Sequence, residues 1–317
     1  MSGFPGNALV WSGRTDAEES GVTTRWHQHV QALAADSHGG VTLLGFAVDE
    51  GVRRNHGRCG AAQGPDALRA ALAAIPVHGE PPVFDGGDIE CPDGDLEAAQ
   101  QRLAARVADA LRRASLPLVL GGGHEVAWGS FQGLMAAGSG LDRLLIVNLD
   151  AHFDLRRAAH GNSGTPFLQI HDWCATHGAA FDYRVFGISR FANTRALFER
   201  AAELGVVWHE DEALQTEDGL RTACAALARD LQGCAAVYLT ICLDVLPGAV
   251  APGVSAPAPL GVPLARIEAL IDTVLASGKL IAAEIAELNP AFDRDGLTAR
   301  VAARIAARIA RGAPCPV

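Results

Sequence analysis

The sequence predicts an α/β protein whose parallel sheet is covered by helices on both faces. Short apolar runs recur along the whole chain, segments with helical periodicity separate them, and the runs read as strands buried on both sides. They begin at Val41-Thr42-Leu43-Leu44 and continue through Pro82-Val83-Phe84, Leu118-Val119-Leu120 and Leu144-Leu145-Ile146-Val147. Four more follow: Tyr183-Arg184-Val185-Phe186, Val206-Val207-Trp208, Val237-Tyr238-Leu239-Thr240-Ile241 and Lys279-Leu280-Ile281. Between them, Asp95 caps a helix with Leu96, Leu103, Val107 and Leu111 on one face. A second helix carries Leu220, Cys224, Leu227 and Leu231 and stops at Gly233. Pro263 opens a third with Leu264, Ile267, Ile271 and Val274, and the last shows Leu297, Val301, Ile305 and Ile309.

Composition narrows the function. With 317 residues, 49% of them hydrophobic, the chain can bury a large core. No repeat, low-complexity tract or linker divides residues 1–317, so one domain is expected. Met1-Ser2-Gly3-Phe4-Pro5-Gly6 does not read as a signal peptide, and no apolar stretch approaches the roughly 20 residues that span a bilayer. Seven scattered cysteines without a CxxC pair suit reduced thiols in a cytoplasmic protein. A formal charge of −10 argues against nucleic acid, where affinity needs lysine and arginine on phosphates. A small-molecule partner is expected instead.

In such a sheet, ligands sit beyond the carboxyl ends of the strands. Three strand ends carry polar clusters: Gly121-Gly122-Gly123-His124-Glu125, Asn148-Leu149-Asp150-Ala151-His152-Phe153-Asp154, and Cys242-Leu243-Asp244. Asp150, His152 and Asp154 recur with a period of two, which places them on one side of an extended segment. Carboxylates and imidazoles converging there demand a cation. A donor set of mostly carboxylate oxygen with two imidazoles suits Mn2+, whereas a closed structural zinc site would be richer in sulfur. A metal-dependent hydrolase follows from this.

At these residues the chain resembles the ureohydrolase family, which includes arginase, agmatinase and formimidoylglutamase. The resemblance runs from Asn55-His56-Gly57-Arg58 and Gly64-Pro65-Asp66-Ala67-Leu68-Arg69 to Glu287-Leu288-Asn289-Pro290. It implies a three-layer α/β/α fold with an eight-stranded, mainly parallel sheet, in agreement with the eight runs above. It implies two manganese ions per chain, one on His124, Asp150 and Asp154, the other on His152, Asp150 and Asp244, with Asp150 bridging. Glu287 and Asp154 are the carboxylates it implies for catalysis, Glu287 by contacting the amidinium or guanidinium end of the substrate. A homo-oligomer is also implied.

Two departures stand out. Where the family has Asp-x-Asp, this chain has Cys242-Leu243-Asp244, so a thiol replaces a second bridging carboxylate. Where its arginases carry a His-Gly pair, the better match is Ser163-Gly164-Thr165-Pro166, which leaves His160 as a solvated loop residue. Trp11-Ser12-Gly13-Arg14, Asp154-Leu155-Arg156, Asn162-Ser163-Gly164-Thr165-Pro166-Phe167 and Asp244-Val245-Leu246-Pro247 look like the formimidoylglutamase branch. That branch implies an anionic amidine, N-formimidoyl-L-glutamate, cleaved to formamide and L-glutamate in histidine breakdown. Another ureohydrolase substrate, a guanidino acid or amine, is the alternative, and a non-catalytic metal-binding relative a third.

Arginine suits the two substrate carboxylates because its fork binds them bidentately. Arg58, with Asn55, matches the family's substrate loop, and Ser163 and Asn193 are further expected substrate contacts. Arg53, Arg54 and Arg190 read equally well as anchors or surface residues, and Arg14 as a substrate contact or a tie for the N-terminal segment.

Overall fold

All eight apolar runs become strands, because each is flanked by turn residues and sandwiched between two apolar helical layers. The computed structural model describes residues 10–138 and 143–313. The reading of Met1–Gly6 as no signal peptide falls outside them. The strands are β1 (Gln31–Ala32), β2 (Val41–Ala47), β3 (Val83–Glu90), β4 (Leu116–Leu120), β5 (Leu144–Leu149), β6 (Asp182–Ile188), β7 (Val207–Glu210), β8 (Ala236–Cys242) and β9 (Leu280–Ala286). They form one sheet in the order β1-β3-β2-β4-β9-β8-β5-β6-β7, and every ladder between them is parallel. The ninth strand is β1, a two-residue edge strand on β3 that is too short and too polar to leave a sequence signal.

The helices are α1 (Trp26–His29), α2 (Glu50–Arg54), α3 (Gly64–Ala73), α4 (Leu96–Arg112), α5 (Val126–Ala137), α6 (Pro166–His177), α7 (Arg195–Glu203), α8 (Glu217–Gly233), α9 (Leu264–Ala276) and α10 (Leu297–Arg311). Alternation along the strands sorts them into layers. Leu43, Leu118, Leu145, Val147, Leu239 and Ile241 face a core completed by α1, α3, α8, α9 and α10. Their neighbours Leu44, Val119, Ile146 and Tyr238 face a second core made with α4, α5, α6 and α7. This is the three-layer α/β/α arrangement expected. Asp95 caps α4 as expected, accepting from Ala98 N at 2.9 Å. Pro263 sits at the N-cap of α9 rather than in its first turn, where its fixed φ still suits the helix entry. No helix among the described residues is long and apolar enough to cross a membrane.

The N-terminal segment is tied to the sheet by charge. Trp11 Nε1 donates to Asp85 at 2.6 Å, and the buried Arg69 holds Asp85 at 3.1 Å and Asp88 at 2.6 Å. Arg14 pairs with Asp16, which in turn is held by Arg25. Arg14 is therefore a tie for this segment.

Candidate metal centre

Four adjacent central strands deliver the polar residues to one place. β4 leads into the loop carrying His124, β9 ends at Glu287, β8 ends at Cys242 and Asp244, and β5 ends at Asp150, His152 and Asp154. The glycine run after β4 lets these ends approach: a Cβ on Gly122 would collide with the Val48 and Phe46 carbonyls. Gly122 O also accepts from Glu287 N at 2.8 Å, which binds the ends of β4 and β9 together.

Two groups of donor atoms result. His124, Asp150 and Cys242 offer ligand atoms within 4.8 Å of one another, and so do Asp150, His152 and Asp244. Asp150 belongs to both. His124 Nδ1 lies 2.9 Å from Asp150 Oδ2 and 3.0 Å from Asp154 Oδ2. His152 Nδ1 lies 3.1 Å from Asp244 Oδ2 and 3.5 Å from Asp150 Oδ1. Asp150 is fixed by Asn148 Nδ2 at 3.1 Å and by the His152 backbone N–H at 2.7 Å. Asp154 and Glu287 have φ of 48° and 72°, values that non-glycine residues rarely adopt and that cluster at functional sites.

The side chains fit divalent cations. His124 Nδ1, Asp244 Oδ1 and Glu287 Oε2 are buried without a hydrogen-bond partner among the described residues. The oxygens beside His124 Nδ1 are close, yet neither lies where an N–H would bond to it. A lone pair on that nitrogen and oxygens arranged around its axis describe the first shell of an ion. Four carboxylates and a thiol face two imidazoles, and the titration behaviour reflects that crowding. Burial first, then the charges of Glu125 and Asp244, pushes Glu287 up to about 8. Burial and then Asp150 raise Asp154. Burial, then Asp150, Asp244 and Glu287, hold the Cys242 thiol well above its usual range, so it stays neutral. Bound cations would relieve all three.

The arginines fall differently from expectation. Arg58 donates through Nε to Ser255 O at 2.9 Å and through Nη2 to Val254 O at 2.5 Å, and lies 4.0 Å over the Phe292 ring. These contacts tie two loops together at the residue expected to meet the substrate. Asn193, also expected at the substrate, holds backbone: its amide donates to Ala151 O and Ser189 O, and its oxygen accepts from Phe153 N. Arg53 and Arg54 are paired with Glu50, Arg54 also with Glu97, and Arg190 with Glu210. Asn55 and Ser163 do meet, Asn55 Nδ2 donating to Ser163 Oγ at 3.1 Å.

Sequence reasoning assigned no role to Arg156. A Cβ on Gly164 would lie 2.9 Å from Arg156 Cδ and 3.2 Å from Asn55 Nδ2, so the arginine lies over the glycine beside Asn55 and Ser163. The Arg156 backbone N–H, donating to Gly164 O at 2.8 Å, fixes this placement. The signal in the sequence was an arginine two residues after a metal-motif aspartate.

Residues 40–311 match the model of the arginase family. A formimidoylglutamase of Cupriavidus pinatubonensis is 53% identical over 306 residues, covering 94% of this chain and 96% of the relative. One from Chromobacterium violaceum is 50% identical over 302 residues, covering 95% and 97%. Among solved structures, formimidoylglutamase from Bacillus subtilis superposes with a TM-score of 0.84 at 20% identity, covering 95% of this chain and 94% of the other. Trypanosoma cruzi formiminoglutamase with Mn2+ does so with a TM-score of 0.78 at 23% identity, covering 92% and 98%.

Proposed function

The chain belongs to the arginase family, and from that premise we propose that it hydrolyses N-formimidoyl-L-glutamate to L-glutamate and formamide. The observation that carries this reading is a pair of donor triads sharing Asp150, with the unpartnered Glu287 Oε2 beside them. Relatives about half identical over almost their whole length bear the name of that activity. We place two manganese ions there, one on His124, Asp150 and Asp154 and one on His152, Asp150 and Asp244, with Cys242 alongside. Such a metal pair supplies an activated water and stabilises charge developing at the amidine carbon.

The chain's own residues then divide the substrate. Glu287 is held by the His124 backbone N–H through Oε1 at 3.0 Å, which leaves Oε2 for the cationic formimidoyl group. Arg156, Asn55 and Ser163 together offer a guanidinium, an amide and a hydroxyl, a set suited to a carboxylate. Among the described residues Arg156 has no acidic partner, unlike Arg53, Arg54 and Arg190. A role in histidine degradation, in the cytoplasm and as a homo-oligomer, completes the proposal.

The test is product analysis by NMR on purified, manganese-loaded protein. Formamide and glutamate should appear from N-formimidoyl-L-glutamate without direct release of ammonia. Urea from arginine, with no action on the formimidoyl compound, would overturn the reading.

Two expectations follow for single residues. Arg156→Ala should lower kcat/KM about ten- to hundredfold with metal content unchanged, the loss of a charge-assisted hydrogen bond of about 1.5–3 kcal/mol. Unaltered kinetics would remove Arg156 from the substrate site. Cys242→Asp should tighten manganese binding about tenfold or more, because a hard oxygen replaces a neutral thiol next to a hard cation. Titration followed by electron paramagnetic resonance reads this directly, and coincident curves for the two proteins would mean that the thiol has no influence on the site.

A further inference from the structure

A carboxylate lies in the middle of the sheet where an apolar side chain would be expected. Glu284 sits within β9, in the run Leu280–Ala286, and is fully buried. It pairs in register with Thr240 on β8 and Val119 on β4. An ionised side chain is costly to bury unless hydrogen bonds replace its water. Two hydroxyls do so: Ser130 Oγ donates to Oε2 at 2.6 Å and Thr240 Oγ1 donates to Oε1 at 2.8 Å.

The geometry fixes a direction. A threonine hydroxyl has a single proton. Burial raises the Glu284 carboxyl above its usual range; with Glu284 ionised, the threonine proton goes to it, and Thr240 Oγ1 then accepts in its second contact, the one to His124 Nε2 at 2.9 Å. The His124 proton therefore belongs on Nε2, and the lone pair on Nδ1, the atom beside Asp150 and Asp154. We propose that Glu284, acting through Thr240, is the positioning residue that sets the His124 tautomer and keeps Nδ1 free to hold a metal ion. This rests on the metal reading above. Outer groups of this kind orient a ligating imidazole and raise its basicity, and here the orienting charge reaches the ring through one hydroxyl rather than by direct contact.

Three variants test it. Thr240→Ser keeps the hydroxyl and should bind both ions as the wild type does. Thr240→Val keeps the shape but strands Nε2–H. Glu284→Gln presents one acceptor oxygen to two donating hydroxyls and sets an N–H2 beside them. Both should weaken binding of one of the two manganese ions about 10- to 100-fold, with metal-free melting curves showing that the fold is retained. If Glu284→Gln does not fold, Thr240→Val decides the matter. Ring 15N spectra of zinc-loaded wild type, with zinc as a diamagnetic probe, should show the His124 proton on Nε2. Wild-type affinity in both Thr240→Val and Glu284→Gln, or a bare Nε2, overturns the relay. His124→Ala separates the two levels: if it keeps both ions at full affinity, the metal assignment itself is wrong, and the relay falls with it.

Discussion

Replacing Asp150 with asparagine is expected to abolish binding of both metal ions and to leave the metal-free protein folded. Asp150 is the member shared by the two donor triads, so no single-ion site survives its loss intact. Loss of a mere outer partner costs about 10- to 100-fold in affinity, and a carboxylate common to both ions must cost each of them more. The stability consequence is separable. Ions at a hundredfold excess over Kd stabilise a folded protein by about 2.7 kcal/mol per site, and that metal-dependent gain in Tm should vanish. Without metal, burial is outweighed by the His124 and His152 imidazoles, which hold the Asp150 carboxyl well below the usual carboxylate range, so losing its charge costs the metal-free fold part of its stability at neutral pH. Melting curves with and without manganese, beside metal analysis, check both halves. A variant that still binds two ions would mean that Asp150 does not bridge.

Glu287→Gln carries the second large effect. The glutamine is isosteric and its oxygen still accepts from the His124 backbone N–H, so the loop should keep its shape. What disappears is the charge facing the cationic end of the substrate. Removing one partner of a buried charge pair costs about 2–5 kcal/mol, which corresponds to roughly thirty- to several-thousandfold in kcat/KM. Metal content should be unchanged. In the metal-free protein, the carboxyl is raised from 4.5 to about 8, by burial and then by Glu125 and Asp244. Between those values the folded state holds a proton that the unfolded state has lost, so stability falls as pH rises through this window. Glu287→Gln should flatten that part of the pH profile. Kinetics within a few-fold of wild type would exclude Glu287 from substrate contact.

What was legible in the sequence was what periodicity and spacing encode. The strands were visible as apolar runs, buried on both faces in the middle of the sheet although β7, at its edge, exposes Val207, and α4, α8, α9 and α10 because one face of each is apolar. Helix α5 gave no such stripe: Val126, Ala127, Phe131 and Leu134 lie among buried glycines and a buried serine all round it. The expected grouping of His124, Asp150, His152, Asp154, Cys242 and Asp244 described residues that strand ends bring together. The arginines were not legible, because pairing is a three-dimensional property. Arg58 and Asn193 carry the right chemistry for a substrate, and their hydrogen bonds to neighbouring carbonyls left no trace in the sequence. Glu284 left one readable trace, a charged residue inside an apolar strand.

The position of β9 also governs when the site can exist during synthesis. Strands β1 to β4 form one contiguous group in the sheet and β5 to β8 another, and only β9, between β4 and β8, joins them. Of the two groups, one carries His124 and the other Asp150, His152, Asp154 and Asp244, so they are joined only through the strand that begins at Leu280. Until the last strand slides into the centre, the edges of β4 and β8 are open templates for pairing with other chains. C-terminal truncation before that point separates His124 from Asp150 and Asp154, while the group of Asp150, His152 and Asp244 stays within one half of the sheet, so the two ion sites differ in their dependence on β9. The same insertion that completes the hydrogen-bonded ladder brings Glu287 and Glu284 into place, so maturation of the enzyme and closure of its sheet are a single event.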